Sequence, residues 1–133
     1  LVAAPDLPNA KSLNHPTDLM GQPCLTFRGD RPGANWRFLK GTEEAMVEVN
    51  GPIAVRSFTI LKELVMAGEG FGFLPAFVLE RDLDAARLHL CLPGWASPGT
   101  PVYLTFRPGV RNIARIAAVL DTAQELLPQL LDP

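Results

Sequence analysis

Two short stretches of the chain alternate apolar and polar residues on either side of a tight turn. Trp36-Arg37-Phe38 opens the first, Val47-Glu48-Val49 closes the second, and Lys40-Gly41-Thr42 lies between them. A period of two turns one face of each stretch inward, so the pair predicts a β-hairpin. Residues 1–16 read as extended and turn-rich, with Pro5, Pro8 and Pro16, and Thr17 or Asp18 is a candidate cap for a helical turn over Asp18–Gly21. Cys24-Leu25-Thr26-Phe27 predicts a strand ahead of the hairpin, and Gly29 to Gly33 a turn by composition. Ile53 and Val55 predict a short apolar strand after Gly51-Pro52.

The rhythm then changes. Ile60, Leu61, Leu64 and Val65 fall on one stripe of a helix. Ser57 can cap it by accepting from the first free amides, and Gly68 suits the position past its end, where φ is usually positive. Phe71 to Leu74 predicts a buried strand ended by Pro75, and Phe77 to Ala86 a short helix. Leu88, Leu90 and Leu92 alternate with Arg87, His89 and Cys91, which predicts a strand with one buried face. Pro93 to Pro101 reads as loop, and Val102, Leu104 and Phe106 alternate once more. Asn112 is the candidate cap of a last helix whose stripe is Ile113, Ile116, Ala117 and Leu120, and Pro128 should end or kink it. Strands alternating with helices predict an α/β fold, a mixed sheet with flanking helices. Pro108-Gly109 is the candidate boundary before the last helix.

Composition narrows the function classes. With 133 residues, 47% hydrophobic and 20% charged, the chain can bury a core without disulfides or metals. A net charge of −2 gives no overall pull toward nucleic acid or an anionic membrane. The apolar run from Phe71 to Leu79 contains Gly72 and Pro75 and falls far short of the about 20 residues that cross a bilayer. The chain opens on Leu1-Val2-Ala3-Ala4-Pro5 without an initiating Met, which reads as the end of a strand and leads us to expect a missing preceding part. Cys24 and Cys91 are expected to be buried, reduced thiols. Two cysteines and two histidines without Cys-x-x-Cys or His-x-x-x-His spacing give no expectation of a metal, and no pattern calls for a cofactor.

Candidate chemistry is sparse. His15 precedes Pro16 in a turn and His89 sits on the polar face of a strand, so both read as surface histidines. Glu43-Glu44 reads as solvated, and Asp82 and Asp84 as a helix surface. Gly68-Glu69-Gly70-Phe71-Gly72 has the glycines of a phosphate loop in the wrong context. It ends a helix and enters a strand, whereas a phosphate loop leaves a strand and opens a helix. The better anion site is Arg56-Ser57-Phe58-Thr59, where a strand does run into a helix start. Clefts of α/β sheets also lie beyond the carboxyl ends of strands. The plainer reading of the same residues is a capped helix beside a surface arginine. Nothing here assembles a catalytic constellation, and the expectation is a protein that is not an enzyme.

The order of these segments resembles the C-terminal part of the effector-binding domain of LysR-type transcriptional regulators. Val2-Ala3-Ala4-Pro5 is similar to that family's val-ala-ser-pro crossover strand. His15-Pro16-Thr17-Asp18-Leu19 followed by Cys24-Leu25-Thr26-Phe27 resembles its his-pro-x-asp-leu and cys-leu-x-phe segment. Trp36-Arg37-Phe38 is similar to its Trp-x-Phe strand, and Ala67 to Pro75 to its ala-gly-leu-gly-ile-ala-x-leu-pro segment. Arg87-Leu88, Leu92-Pro93 and Trp95 resemble gly-arg-leu…leu-pro-x-trp, and Val102 to Phe106 with the helix from Ile113 resembles the tail of the domain. Each motif is weak alone; their order and spacing across essentially the whole chain carry the likeness.

The resemblance implies one lobe of a type 2 periplasmic-binding-protein-like fold. Residues 1–108 are then the second lobe, and 109–133 the helix that returns to a mostly absent first lobe. It implies a small-molecule effector, a carboxylate or aromatic metabolite, held between the lobes by Arg56, Ser57, Phe58 and Thr59 with Phe71 and Phe73 nearby. It also implies a cytoplasmic homo-oligomer that meets DNA only through a winged helix-turn-helix outside this chain. The last helix, deprived of its lobe, is expected to pair with a second chain. The alternative is a lobe of an exported solute-binding protein of the same architecture. Two departures bear on the ligand. Ser57-Phe58 stands where the family often has Asn-Asp, and Ala4 replaces the crossover serine; with both placed near the cleft, they point to a more apolar effector.

Overall fold

The computed structural model describes residues 1–27, 34–99 and 102–131. The turn expected at Gly29–Gly33 lies outside them. Two compact units form, Leu1–Pro98 and Gly99–Pro133.

The first unit is built on a five-stranded mixed sheet. Its strands are β1 (Val2–Ala3), β2 (Cys24–Phe27), β5 (Ala54–Val55), β6 (Phe71–Gly72) and β7 (His89–Leu90), in the order β5-β2-β6-β1-β7. β2 runs parallel to both β5 and β6, while β1 runs antiparallel to β6 and β7. The predicted hairpin forms a separate antiparallel pair, β3 (Ala34–Lys40) and β4 (Glu43–Val49), with Trp36 opposite Val47 and Phe38 opposite Ala45.

Successive strand residues point to opposite faces, and the sheet uses this to serve two core layers. Ala3, Cys24 and Phe71 go to one layer with Trp36, Phe38, Val47 and Val49 of the hairpin. Val2 and Leu25 go to the other with Leu61 and Val65 of helix α1 (Phe58–Met66). The sheet therefore has the hairpin on one side and α1 on the other. Gly72 makes the second packing possible, since a Cβ there would lie 2.5 Å from Val65 Cγ2. Of the four stripe positions on α1, Leu61 and Val65 are buried, Leu64 is half-buried and Ile60 is exposed. The helix ends as the sequence predicts. Gly68 has φ +80, its amide donates to the Val65 carbonyl and the Glu69 amide to the Leu64 carbonyl, which satisfies the last carbonyls of the helix.

Several segments differ from expectation. The early helical turn is a 3-10 turn over Pro16–Leu19 capped by His15, not by Thr17 or Asp18. Thr17 N–H donates to His15 Nδ1, while the Asp18 carboxylate accepts from the amides of Asn14 and His15, both at 2.9 Å. The expected strand Phe71–Leu74 shortens to β6, with Phe71 and Gly72 its paired residues. The helix expected over Phe77–Ala86 divides into a 3-10 turn, Ala76–Val78, and α2 (Glu80–Asp84). The strand near Leu88 contracts to β7 and its alternation fails: Leu90 is 51% exposed while Cys91 and Leu92 are both buried. Leu92 has φ +54, so the backbone turns there and carries Cys91 and Leu92 inward together.

The second unit holds a 3-10 turn, Val110–Asn112, and the helix α3 (Ala114–Leu131). Pro128 does not end α3; it sits within it, three residues before Leu131. Val102 to Phe106, which alternate like a strand, form no ladder, and Val102, Tyr103, Leu104 and Phe106 are all exposed. A strand needs a neighbour to take its amides and carbonyls, and among the described residues this segment has none.

Candidate functional site at the start of helix α1

The chain leaves β5 at Val55, which lies opposite Phe27 at the carboxyl end of β2. Arg56 and Ser57 make the turn, and α1 begins at Phe58. Ser57 is extended, and its Oγ accepts from the Ile60 amide at 3.4 Å. Its carbonyl accepts from the Leu61 amide at 2.9 Å. The amides of Phe58 and Thr59 precede the first intrahelical bond and remain donors without an intrahelical acceptor. Arg56 and Thr59 are exposed, and Ser57 and Phe58 half-buried. The positive end of the helix, two hydroxyls and a guanidinium that is in no ion pair among the described residues thus gather at the carboxyl end of two parallel strands. That combination favours an anionic group.

Phe58 has a second task. Its ring stacks on Phe27, with centroids 4.2 Å apart and planes at 23°. The pair covers the edge of the core layer that holds α1. Phe27 is the site neighbour that motif reading missed. Its signal was the parallel pairing that sets it beside Val55, and a pairing partner cannot be read from local sequence.

The two downstream aromatics fare differently. Phe73 follows β6, is half-buried, and stacks on Phe38 at 4.8 Å and tilts against Trp36 at 5.5 Å. It leaves the sheet on the same carboxyl side as Val55. Phe71 is fully buried and pairs with Cys24, at the amino end of β2. Three residues of strand separate that level from Phe27, roughly 10 Å, and the ring lies inside the hairpin-side core. The structure therefore brings Arg56, Ser57, Phe58 and Thr59 together, leaves Phe73 on their end of the sheet, and encloses Phe71. Ala4 is also displaced from expectation. β1 runs antiparallel to β6, with Val2 opposite Gly72, so Ala4 emerges at the amino end of β6 and is buried there. Its side chain bears on packing at the far end of the sheet, which leaves Phe58 as the one apolar replacement at the start of α1.

Among the remaining titratable groups, Asp82 reads differently from sequence and structure. It is 2% exposed rather than on a helix surface. Its carboxylate meets Lys62 Nζ of α1 at 2.6 Å and the guanidinium of Arg87. The Lys62 hydrogen bond, with Arg87 adding to it, holds the carboxyl below its usual range against the opposing effect of burial. Asp82 is an ionised clasp between α1 and the segment after α2, which suits structure rather than proton transfer. Cys24 and Cys91 are free and buried, and burial pushes their thiols up to about 12 and about 11. Neither is a nucleophile near neutral pH. No group of three or more His, Cys, Asp or Glu among the described residues could hold a metal ion.

Comparison with known proteins identifies the family. A family model described as the LysR substrate binding domain matches residues 1–128. The chain belongs to that family. The LysR domain is 30% identical over 93 residues to PtxR, an HTH-type transcriptional regulator of Pseudomonas aeruginosa, covering 69% of this chain and 30% of PtxR. It is similar in fold to the regulatory domain of CrgA, a LysR-type transcriptional regulator from Neisseria meningitidis. The TM-score is 0.69 at 24% identity, over 93% of this chain and 62% of that one. It is likewise similar to the full-length Vibrio cholerae virulence activator AphB, with a TM-score of 0.62 at 19% identity over 73% of this chain and 33% of AphB. These LysR-type neighbours place the α/β fold with its mixed sheet among type 2 periplasmic-binding-protein-like domains. The LysR domain spans under a third of the length of PtxR. No helix among its described residues is long and apolar enough to cross a membrane.

Proposed function

We propose that the chain is the effector-binding sensory module of a LysR-type transcriptional regulator. Residues 1–108 are its second lobe and 109–133 the helix that returns to the first lobe. A small anionic or aromatic metabolite binds against Arg56, Ser57, Phe58 and Thr59, with Phe73 at the margin. The observation that carries this reading is the meeting of a guanidinium in no ion pair among the described residues and the open amides of α1 at the carboxyl end of β2 and β5, in a chain of this family. Phe71 is dropped as a direct contact, because its ring is enclosed. The regulator acts in the cytoplasm as a homo-oligomer without catalysing a reaction, and it contacts DNA through a separate N-terminal module. Family membership favours this over an exported solute-binding protein.

Titration of the 15N-labelled chain with benzoate, cinnamate and succinate tests the site. Saturable shifts are expected at the amides of residues 56–59, with Arg56→Ala weakening them about tenfold, the scale of one charge-assisted hydrogen bond. Shifts that avoid 56–59 for every probe overturn the assignment. A mobility shift of residues 1–133 on operator-containing DNA at near-physiological salt should show no sequence-specific complex, and such a complex would contradict the division of labour.

A further inference from the structure

A second concavity lies on the first unit, away from the start of α1. It is a groove of about 510 Å³ between the segment around Lys11 and the chain leaving β7, with Lys40 from the end of β3 at its rim. Its polar lining is Lys11, Asn14, Lys40 and His89, and the exposed Leu90 and Pro93 supply an apolar side. No Asp or Glu is among the described residues that line it. Neither lysine enters an ion pair with any described residue. In a chain whose net charge is −2, two lysines in no described ion pair line one small concavity.

Lys40 is also held in place. Its Nζ stands 5.8 Å from the centre of the Trp95 ring. Its stem passes beside Gly94, where a Cβ would lie 3.4 Å from Lys40 Cε. Gly94 has φ +84, a conformation that other residues adopt only with strain, so the loop beside the lysine favours glycine. A cation fixed by its surroundings loses less freedom on binding than one on a free stem. The volume falls within the about 300–1,000 Å³ of small-ligand pockets.

We propose that this groove binds a small organic anion, with its charged group between Lys11 and Lys40 and its apolar body on Leu90 and Pro93. A carboxylate and a phosphate monoester share that chemistry, and both fit a site that reads negative charge plus a short hydrocarbon. The proposal is independent of ligand binding at the start of α1.

The test uses hexanoate, hexyl phosphate, inorganic phosphate and the neutral hexanamide against the 15N-labelled chain. Hexanoate or hexyl phosphate, or both, should give saturable shifts at Lys11, Asn14, Lys40 and Leu90–Leu92, and which of the two binds tighter identifies the charged group. Hexanamide and inorganic phosphate should each bind at least about tenfold more weakly, one lacking the charge and the other the hydrocarbon. Lys11→Gln and Lys40→Gln, both exposed substitutions that leave the rest of the spectrum in place, should each weaken binding by a similar factor, while Arg56→Gln should leave the groove shifts unchanged. Absence of saturable groove shifts with both charged probes overturns the proposal, as does hexanamide binding as well as hexanoate, or unchanged affinity in both lysine variants. Shifts confined to 56–59 support the effector site and overturn the groove.

Discussion

Residues 34–49 and residues 102–106 carry the same alternation of apolar and polar positions, and only the first becomes structure. In the hairpin, Trp36, Phe38, Val47 and Val49 are buried and the alternating Arg37, Met46 and Glu48 are exposed, because each strand pairs with the other and one face rests on the sheet. In the second unit Val102, Leu104 and Phe106 alternate just as regularly and are 65%, 40% and 46% exposed. Periodicity states which face a segment offers, and a partner decides whether the offer is taken. The same holds for helices. α1 buries Leu61 and Val65 completely, whereas on the longer α3 the stripe of Ile116, Ala117 and Leu120 is buried only at Leu120.

Core truncation should divide the two units most sharply. Phe38→Ala removes a fully buried ring that stacks on Phe73, and should cost about 3–5 kcal/mol in urea unfolding. Val119→Ala on α3, where the side chain is 67% exposed, should stay within about 0.5 kcal/mol. Equal costs would mean that the exposed unit is as tightly packed as the sheet.

Acid should act on the first unit through Asp82. Its folded carboxyl is held below the unfolded value near 4. The stability it contributes is therefore complete above that value and declines as pH falls toward the folded one. The urea midpoint should drop below about pH 4–5, and Asp82→Asn should be less stable at neutral pH with a shallower acid limb. The remaining slope belongs to Asp18, held low by the backbone amides of His15 and Asn14, and to Glu44, held low by its hydrogen bonds from Arg37. An acid limb as steep in Asp82→Asn as in the wild type would show that the clasp contributes nothing.

Thiol reactivity sharpens the same contrast. With thiols pushed up to about 12 and about 11, Cys24 and Cys91 should resist iodoacetamide at pH 8 in native buffer and react together once urea opens the sheet. Rapid native labelling of either would place it in a locally open region. The smallest effect is expected in association. If the half-buried α3 stripe pairs with a second copy, sedimentation should show weak self-association that Ile116→Asp abolishes, and a monomer at all concentrations would remove that role from the stripe.

Much of the fold was legible where its determinants are local. The hairpin follows from alternation around Gly41, and α1 from one stripe, the Ser57 cap and Gly68. The start of the candidate site was legible for the same reason, since Arg56 to Thr59 are neighbours in sequence. What escaped was set across the sheet. Phe71 and Phe73 are two residues apart, yet one is enclosed and the other emerges at the candidate end, a difference fixed by the register against Cys24. Asp82 read as surface because Lys62 lies on another element. His15 displaced Thr17 as the cap because its ring can accept from the Thr17 amide, a role histidine seldom advertises.

The place of β1 has a consequence for how the protein is made. Val2 and Ala3 sit between β6 and β7, and Val2 meets Gly72 and Leu90. These residues leave the ribosome before their partners, and at about 5–20 residues per second the interval before Leu90 appears is on the order of ten seconds. Until Gly72 emerges the apolar strand has no native strand to pair with, only Leu90 completes its second edge, and contacts so distant along the chain are slow to close even after synthesis. A nascent chain halted before Gly72 should be captured by chaperones and cleaved readily near Val2-Ala3, and one halted beyond Trp95, with its exit-tunnel length allowed for, should protect the same bonds.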